Sequence, residues 1–369
     1  MGKKEFLEKT GLSEAQFNGT EKIERDLYLD NLTSIPKGFN PIVGGSLYLN
    51  NLTSIPEGFN PTVGWGLYLG RLTSIPKGFN PTVGGILYLD NLTSIPKGFN
   101  PTVGGGLYLR GLTSIPKGFN PIVGENLYLE NLTLIPEGFN PTVGGCLLLN
   151  GLTSIPKGFN PTVGGNLYLN NLKSIPEGFN PTVGVDLYLR GLTSIPEGFN
   201  PIVGWYLYLD RLITIPNNWN KSDYEYKKLP LISFQNGKYI KVDGIFTEVL
   251  SKKGNVYKVK KLKNEKEFFV VGDGNGNFSH GDTIKEAKKD LIFKITNRPK
   301  EDFKDLKLES VLNFKEAIEC YRVITGACSF GTKDFVKTNG IEEKNYSINE
   351  IIKLTEGYYG NETFKRFFS

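Results

Sequence analysis

"GGSLYLNNLTSIPEGFNPTV", residues 44–63, is one of ten near-identical phrases that run at a step of twenty residues from Leu27 to Asn220. A fixed period of this length marks a solenoid, in which each copy is one coil that can bury its apolar face only against its neighbours. Comparing the copies separates fixed from free positions. Leucine is invariant at 27 to 207, at 29 to 209 and at 32 to 212, and Ile35 to Ile215 and Val43 to Val203 are equally constant. Leu47-Tyr48-Leu49 has strand alternation, which points the leucines inward and the tyrosine outward. Pro56 ends regular pairing, and Gly58, Pro61 and Gly64 mark turns. Twenty residues with two prolines leave no length for a strand plus a helix, so the return path is expected to be extended or polyproline-like. Stacked at about 4.8 Å, the ten strands would form one parallel sheet roughly 45 Å long.

Two further columns complete the coil. Phe39 to Phe199 is expected to stack as a spine, with Trp219 taking that place in the last copy. Asn40 to Asn220 calls for a side-chain bond to backbone in its own or the next coil. "LYLNNLTSIPEGF", residues 47–59, resembles the short leucine-rich repeat of bacterial proteins, over residues 21–220. The resemblance implies a leucine-rich-repeat β-solenoid with a concave parallel sheet, no convex α-helices, and a role in binding partners, usually proteins. Residues 1–20 precede it as a capping segment. The string of near-identical copies opened by "FLEKTGLSEAQF" (residues 6–17) is similar to proteins of bacteriophages and bacterial mobile elements. That likeness implies a host-cytosol protein that blocks a host defence component.

The copies disagree on the outward face. The middle column is tyrosine throughout, including Tyr68, Tyr88, Tyr108, Tyr128, Tyr168, Tyr188 and Tyr208, except for Leu148. These rings either stabilise the sheet by stacking or form an aromatic floor for a partner. The columns on either side vary, as does the turn before them, where Trp65 and Trp205 replace glycine and Tyr206 follows. Tryptophan is the residue type most enriched in binding hot spots, so both are candidate anchors. Asp90, Arg110, Glu130 and Arg190 alternate in sign along one column. Half of them would repel a phosphate backbone, which favours a protein partner.

Residues 221–369 break the period and carry net charge +6 against −1 for residues 1–220. A nucleic acid or ribonucleoprotein partner could use this basic excess, though it falls short of a nucleic-acid signature. Alternating runs in "KYIKVDGIFTEVL", "NVYKVKKL" and "KEFFVVGDG" read as a β-meander. "GDTIKEAKKDLIFKIT" reads as an amphipathic helix capped by Asp282, with Ile284, Ala287, Leu291 and Ile295 on one face. Two or three more helices follow, the last opened by a Ser347–Glu350 capping box. This makes an α+β domain. "DGNGNFSHGDTI" imitates a calcium loop but has Phe278 where glycine is needed, so it reads as a hairpin turn. With three cysteines and one histidine, no metal or cofactor site is expected. Cys320 and Cys328 read as core groups. The alternative is a cysteine-dependent enzyme or effector with Cys328 as nucleophile and His280 as base. The leading expectation is a non-enzymatic, cytoplasmic protein-binding solenoid with no membrane span.

Overall fold

The computed structural model describes residues 1–216, 231–296 and 298–368. The repeats form a parallel β-solenoid of about nine turns. Each coil contributes two short strands, Leu47–Tyr48 and Thr62–Val63 and their equivalents. Both sets stack in register at twenty-residue steps, giving two ten-stranded parallel sheets where the sequence suggests one. The return path is regular because Pro61 presets an extended backbone and the β-branched pair Thr62–Val63 continues it. Thr62 N–H donates to Pro41 O at 3.1 Å, and Gly64 N–H donates to Val43 O at 2.8 Å.

Two glycines of the coil, Gly58 and Gly64, have different physical causes. Gly58 holds φ 82° at the third position of the Pro56–Phe59 turn, closed by Phe59 N–H to Pro56 O at 3.3 Å. Only glycine takes that conformation without strain. At Gly64 the constraint is space. An added Cβ would run into the carbonyl oxygen of Gly44 one coil back, and the relation recurs at Gly84, Gly104, Gly124 and Gly204.

Leu47, Leu49, Leu52, Phe59 and Val63 and their equivalents are buried, as the alternation requires, except that Leu27 and Leu212 in the end coils are half-buried. Phe119 lies 6.2 Å from Phe99 and 6.2 Å from Phe139, with rings nearly parallel, in a spine that runs from Phe39 to Phe199. Trp219 and Asn220 lie outside the described residues. Asn60 joins successive coils at both ends of its side chain. Its Oδ1 accepts from Asn80 N–H at 2.6 Å, and its Nδ2 donates to Gly78 O at 3.0 Å. At the N-terminus, helix α1 (Lys3–Thr10) and helix α2 (Glu14–Asn18) close the spine. Their buried Phe6 and Phe17 sit 4.7 and 5.5 Å from Phe39, so the cap continues the ring stack with residues from outside the repeat.

A second compact unit comprises residues 231–261 and 265–368. Six antiparallel strands, Leu231–Phe234 to Phe278–Gly281, pair in sequence order as a meander. Asp243 and Gly244, both at positive φ, turn the hairpin between Tyr239–Val242 and Ile245–Lys253, as an Asp-Gly pair in a two-residue loop does. Helix α3 (Ile284–Ile295) packs on the last two strands through Ala287 and Leu291, while Ile284 and Ile295 remain exposed. Its cap is Thr283, in a capping box with Glu286, one residue later than expected. Asp282 is instead paired with Lys266 at 2.8 Å. Helices α4 (Phe314–Thr325), α5 (Ser329–Thr338), α6 (Ile348–Leu354) and α7 (Asn361–Phe367) complete the unit. The Ser347–Glu350 capping box opens α6 as read, and α7 is an additional helix.

Candidate functional site

The outward face of the Leu-x-Leu sheet is a tyrosine ladder. Tyr28–Tyr48, Tyr48–Tyr68, Tyr108–Tyr128, Tyr168–Tyr188 and Tyr188–Tyr208 stack with ring centroids 4.3–4.8 Å apart, and Leu148 interrupts the row. The stack tilts at Tyr68–Tyr88 and Tyr88–Tyr108, to 6.3 and 5.5 Å. Two residues before these rings stand Gly66, Ile86 and Gly106, with no polar side-chain atom to hold a ring hydroxyl. Elsewhere Asp186 accepts from Tyr188 OH at 3.0 Å, and Asn166 Nδ2 donates to Tyr168 OH at 3.0 Å. Burial first, and the neighbouring Tyr128 next, push Tyr108 up to about 12.

The variable columns have a structural duty that sequence comparison missed. Their small polar side chains accept from backbone N–H groups of the next coil. Asp26 Oδ1 accepts from Ser46 N–H at 2.7 Å, Ser46 Oγ from Gly66 N–H at 3.2 Å, and Asn126 Oδ1 from Cys146 N–H at 2.8 Å. On the other side Asp30 Oδ1 accepts from Asn50 N–H at 2.6 Å and Asp90 Oδ1 from Arg110 N–H at 3.0 Å. The enrichment in Asp, Asn and Ser was the signal, because those are the short acceptors that reach a neighbouring strand.

The alternating charges pair within the ladder. Arg110 bridges Asp90 at 2.7 Å and Glu130 at 3.3 Å, with its guanidinium 4.3 Å from the Tyr128 ring and 4.9 Å from Tyr108. Arg190 meets Asp210 at 3.4 Å and covers Tyr208 at 4.9 Å. Trp65 stands 56 % exposed and Tyr206 54 % exposed. Trp205 is half-buried, so it is less available than its sequence position suggests. The coil that carries Trp65 also has Gly66 and Gly70 on either side of Tyr68, so no side chain stands at those two positions.

In the second unit the structure brings Cys328 and His280 together. Cys328 is the N-cap of α5, where its Sγ accepts from Gly331 N–H at 3.2 Å. His280 lies on the last meander strand, with Nδ1 3.7 Å from Cys328 Sγ. Ligand atoms of Asp243, His280 and Cys328 all lie within 4.8 Å of one another, a grouping that could in principle hold a metal ion. Lys294 already occupies both Asp243 oxygens at 2.7 Å and donates to Phe278 O at 2.9 Å, so that carboxylate is charge-compensated. Burial lowers His280 to about 4 and raises the Cys328 thiol, making the resting pair neutral. The calcium-like loop is a turn: Asp273 Oδ1 accepts from Asn275 N–H at 2.7 Å and Asn277 N–H at 3.1 Å. Several lysines of this unit face carboxylates, including Lys261 on Asp334 at 2.6 Å and Lys258 on Glu267 at 2.5 Å. Among the described residues, no helix is long and apolar enough to cross a membrane. Compared with protein-family models, curated proteins and solved structures, the chain matches none.

Proposed function

We propose that this chain captures a protein partner through the outward face of the Leu-x-Leu sheet, with Trp65 and the neighbouring Tyr68 and Tyr88 as its anchor. In its most specific form, this is a phage- or mobile-element-encoded protein that blocks a host defence component in the host cytosol. The observation that carries the reading is Trp65. Most of its surface is open, and eight of the ten coils carry another residue at its position, glycine in five and Arg25, Glu125 and Val185 in the rest, so the fold does not require it. The adjacent columns, by contrast, are largely committed to joining coils or pairing charge. A ring of this size on a rigid sheet loses little conformational freedom on binding.

The experiment is capture from a bacterial lysate by the full chain, followed by affinity measurement with the captured protein. Trp65→Ala should weaken capture by about 1–3 kcal/mol while leaving the melting curve unchanged. Lys77→Glu and Glu137→Lys are the matched controls, at an exposed position where the repeat itself exchanges Lys and Glu. Capture that ignores Trp65→Ala but is lost in the controls would place the partner on the opposite face and refute the reading.

A further inference from the structure

The second unit holds two buried cysteines that differ in their surroundings. Cys320 lies on the inner face of α4 among Ala317, Tyr321 and Ile324, and burial alone pushes its thiol up to about 12. It behaves as a small apolar side chain. Cys328, just as buried at 2 % exposed, sits among polar groups. It occupies the N-cap of a ten-residue helix, where Ser, Thr, Asp or Asn would cap better than a thiol. A helix N-terminus favours thiolate character, and Gly331 N–H already points at the sulfur. The chain's sole histidine meets this thiol from 48 residues away. Its Nε2 is buried with no hydrogen-bond partner among the described residues, an arrangement a purely structural histidine would avoid.

We propose that Cys328 and His280 form a nucleophile–base pair for acyl transfer, taking the carbonyl of an ester, thioester or amide as electrophile. The Cys328 S–H proton moves to His280 Nδ1 as Sγ bonds to the carbonyl carbon and the π electrons pass to oxygen. When the tetrahedral adduct collapses, the bond to the leaving group breaks and His280 Nδ1–H protonates that group. The product is an acyl-Cys328 thioester. Water, deprotonated by the same nitrogen, then releases the acid and restores the thiol. Asp243 favours the imidazolium formed on the way, and Lys294, paired with it, opposes that effect. Cys328 is 2 % exposed and His280 is fully buried against Phe268 and the half-buried Phe330, at ring distances of 6.0 and 5.9 Å, so the substrate is confined to small acyl groups admitted when Phe330 moves. This inference stands apart from capture by the solenoid, and either can fail alone.

The test treats the full chain with p-nitrophenyl acetate and locates acetyl groups by peptide mass spectrometry. Acetylation is expected on Cys328 and not on Cys320, and Phe330→Ala should speed it. His280→Gln, with an unchanged melting curve, should slow it by about 10²–10⁴-fold. Should His280→Gln lose the fold, a wild-type pH–rate profile serves in its place, and a rate that follows simple thiol ionisation with no lower titration overturns the proposal. The proposal is also overturned if Cys328 reacts no faster than Cys320 in both wild type and Phe330→Ala, or if folded His280→Gln reacts as wild type does.

Discussion

Asn60 and His280 are both polar side chains with positions set by the backbone around them, yet they sit in opposite situations. Asn60 is one of a column, and its amide makes one bond to the next coil at each end, so the same solution recurs every twenty residues. His280 occurs once, is fully buried, and has one nitrogen on a thiol and the other without a hydrogen-bond partner among the described residues. In the solenoid, polar groups hold neighbours together. In the second unit, Asp243, Lys294, His280 and Cys328 are gathered at one point, where a low dielectric makes each charge or proton consequential. A repeat can place a polar group only where ten copies tolerate it, whereas a non-repeating fold can concentrate several.

Three measurements sharpen that contrast. The largest effect is expected in the spine. Phe119→Ala removes a ring 2 % exposed and stacked on both sides, and should destabilise the solenoid by about 3–5 kcal/mol in denaturant unfolding. A loss below about 1 kcal/mol would mean that neighbouring coils close over the gap and that the stack is not cooperative.

The next effect belongs to the second unit and depends on pH. His280 is neutral when folded, with a pKa lowered from 6.5 to about 4, chiefly by burial, with Lys294 and Lys261 adding to the shift and Asp243 and Asp334 opposing it. Between those values the unfolded chain takes up a proton that the folded chain refuses. Stability is therefore full above pH 6.5 and falls as pH drops towards 4, by roughly 3 kcal/mol. Hydrogen exchange of the Phe278–Gly281 strand should report the loss, and His280→Gln should flatten it relative to wild type. An identical pH dependence in both would show that His280 is not held neutral.

The smallest effect is in the ladder. Asn120 Oδ1 accepts from Asn140 N–H at 2.6 Å and its Nδ2 donates to Gly138 O at 3.0 Å. Asn120→Ala should lose about 1–2 kcal/mol, because the groups left behind are exposed and water can replace part of the bonding. A loss as large as that of Phe119→Ala would make the hydrogen-bonded ladder, not the ring spine, the main tie between coils.

Much of this molecule is written in its period. The inward set of Leu47, Leu49, Leu52, Phe59 and Val63, the turn at Gly58 and the Asn60 column follow from comparing ten copies, since core positions cannot drift. The Ser347–Glu350 cap was legible because it is decided within a few residues, whereas the run "KYIKVDGIFTEVL", read as one, is two strands turned at Asp243-Gly244. Contacts between coils were less legible. Thr62–Val63 pairs with a strand twenty residues away, Gly64 is fixed by the carbonyl of Gly44, and Asp26 and Asn126 serve backbone N–H groups of the following coil. The only trace of them in the sequence is the enrichment of the variable columns in Asp, Asn and Ser, so those columns looked freer than they are. Helix α3 is capped by Thr283 and not Asp282, which pairs instead with Lys266, just ahead of the Glu267–Gly272 strand. The meeting of Asp243, His280 and Cys328 is the extreme case, since a hairpin turn, a strand and a helix N-cap converge only when the sheet and helices pack. Sequence determined the repeating coil because its information is periodic and short-range; tertiary structure decided the buried cluster because its members are joined only through the fold.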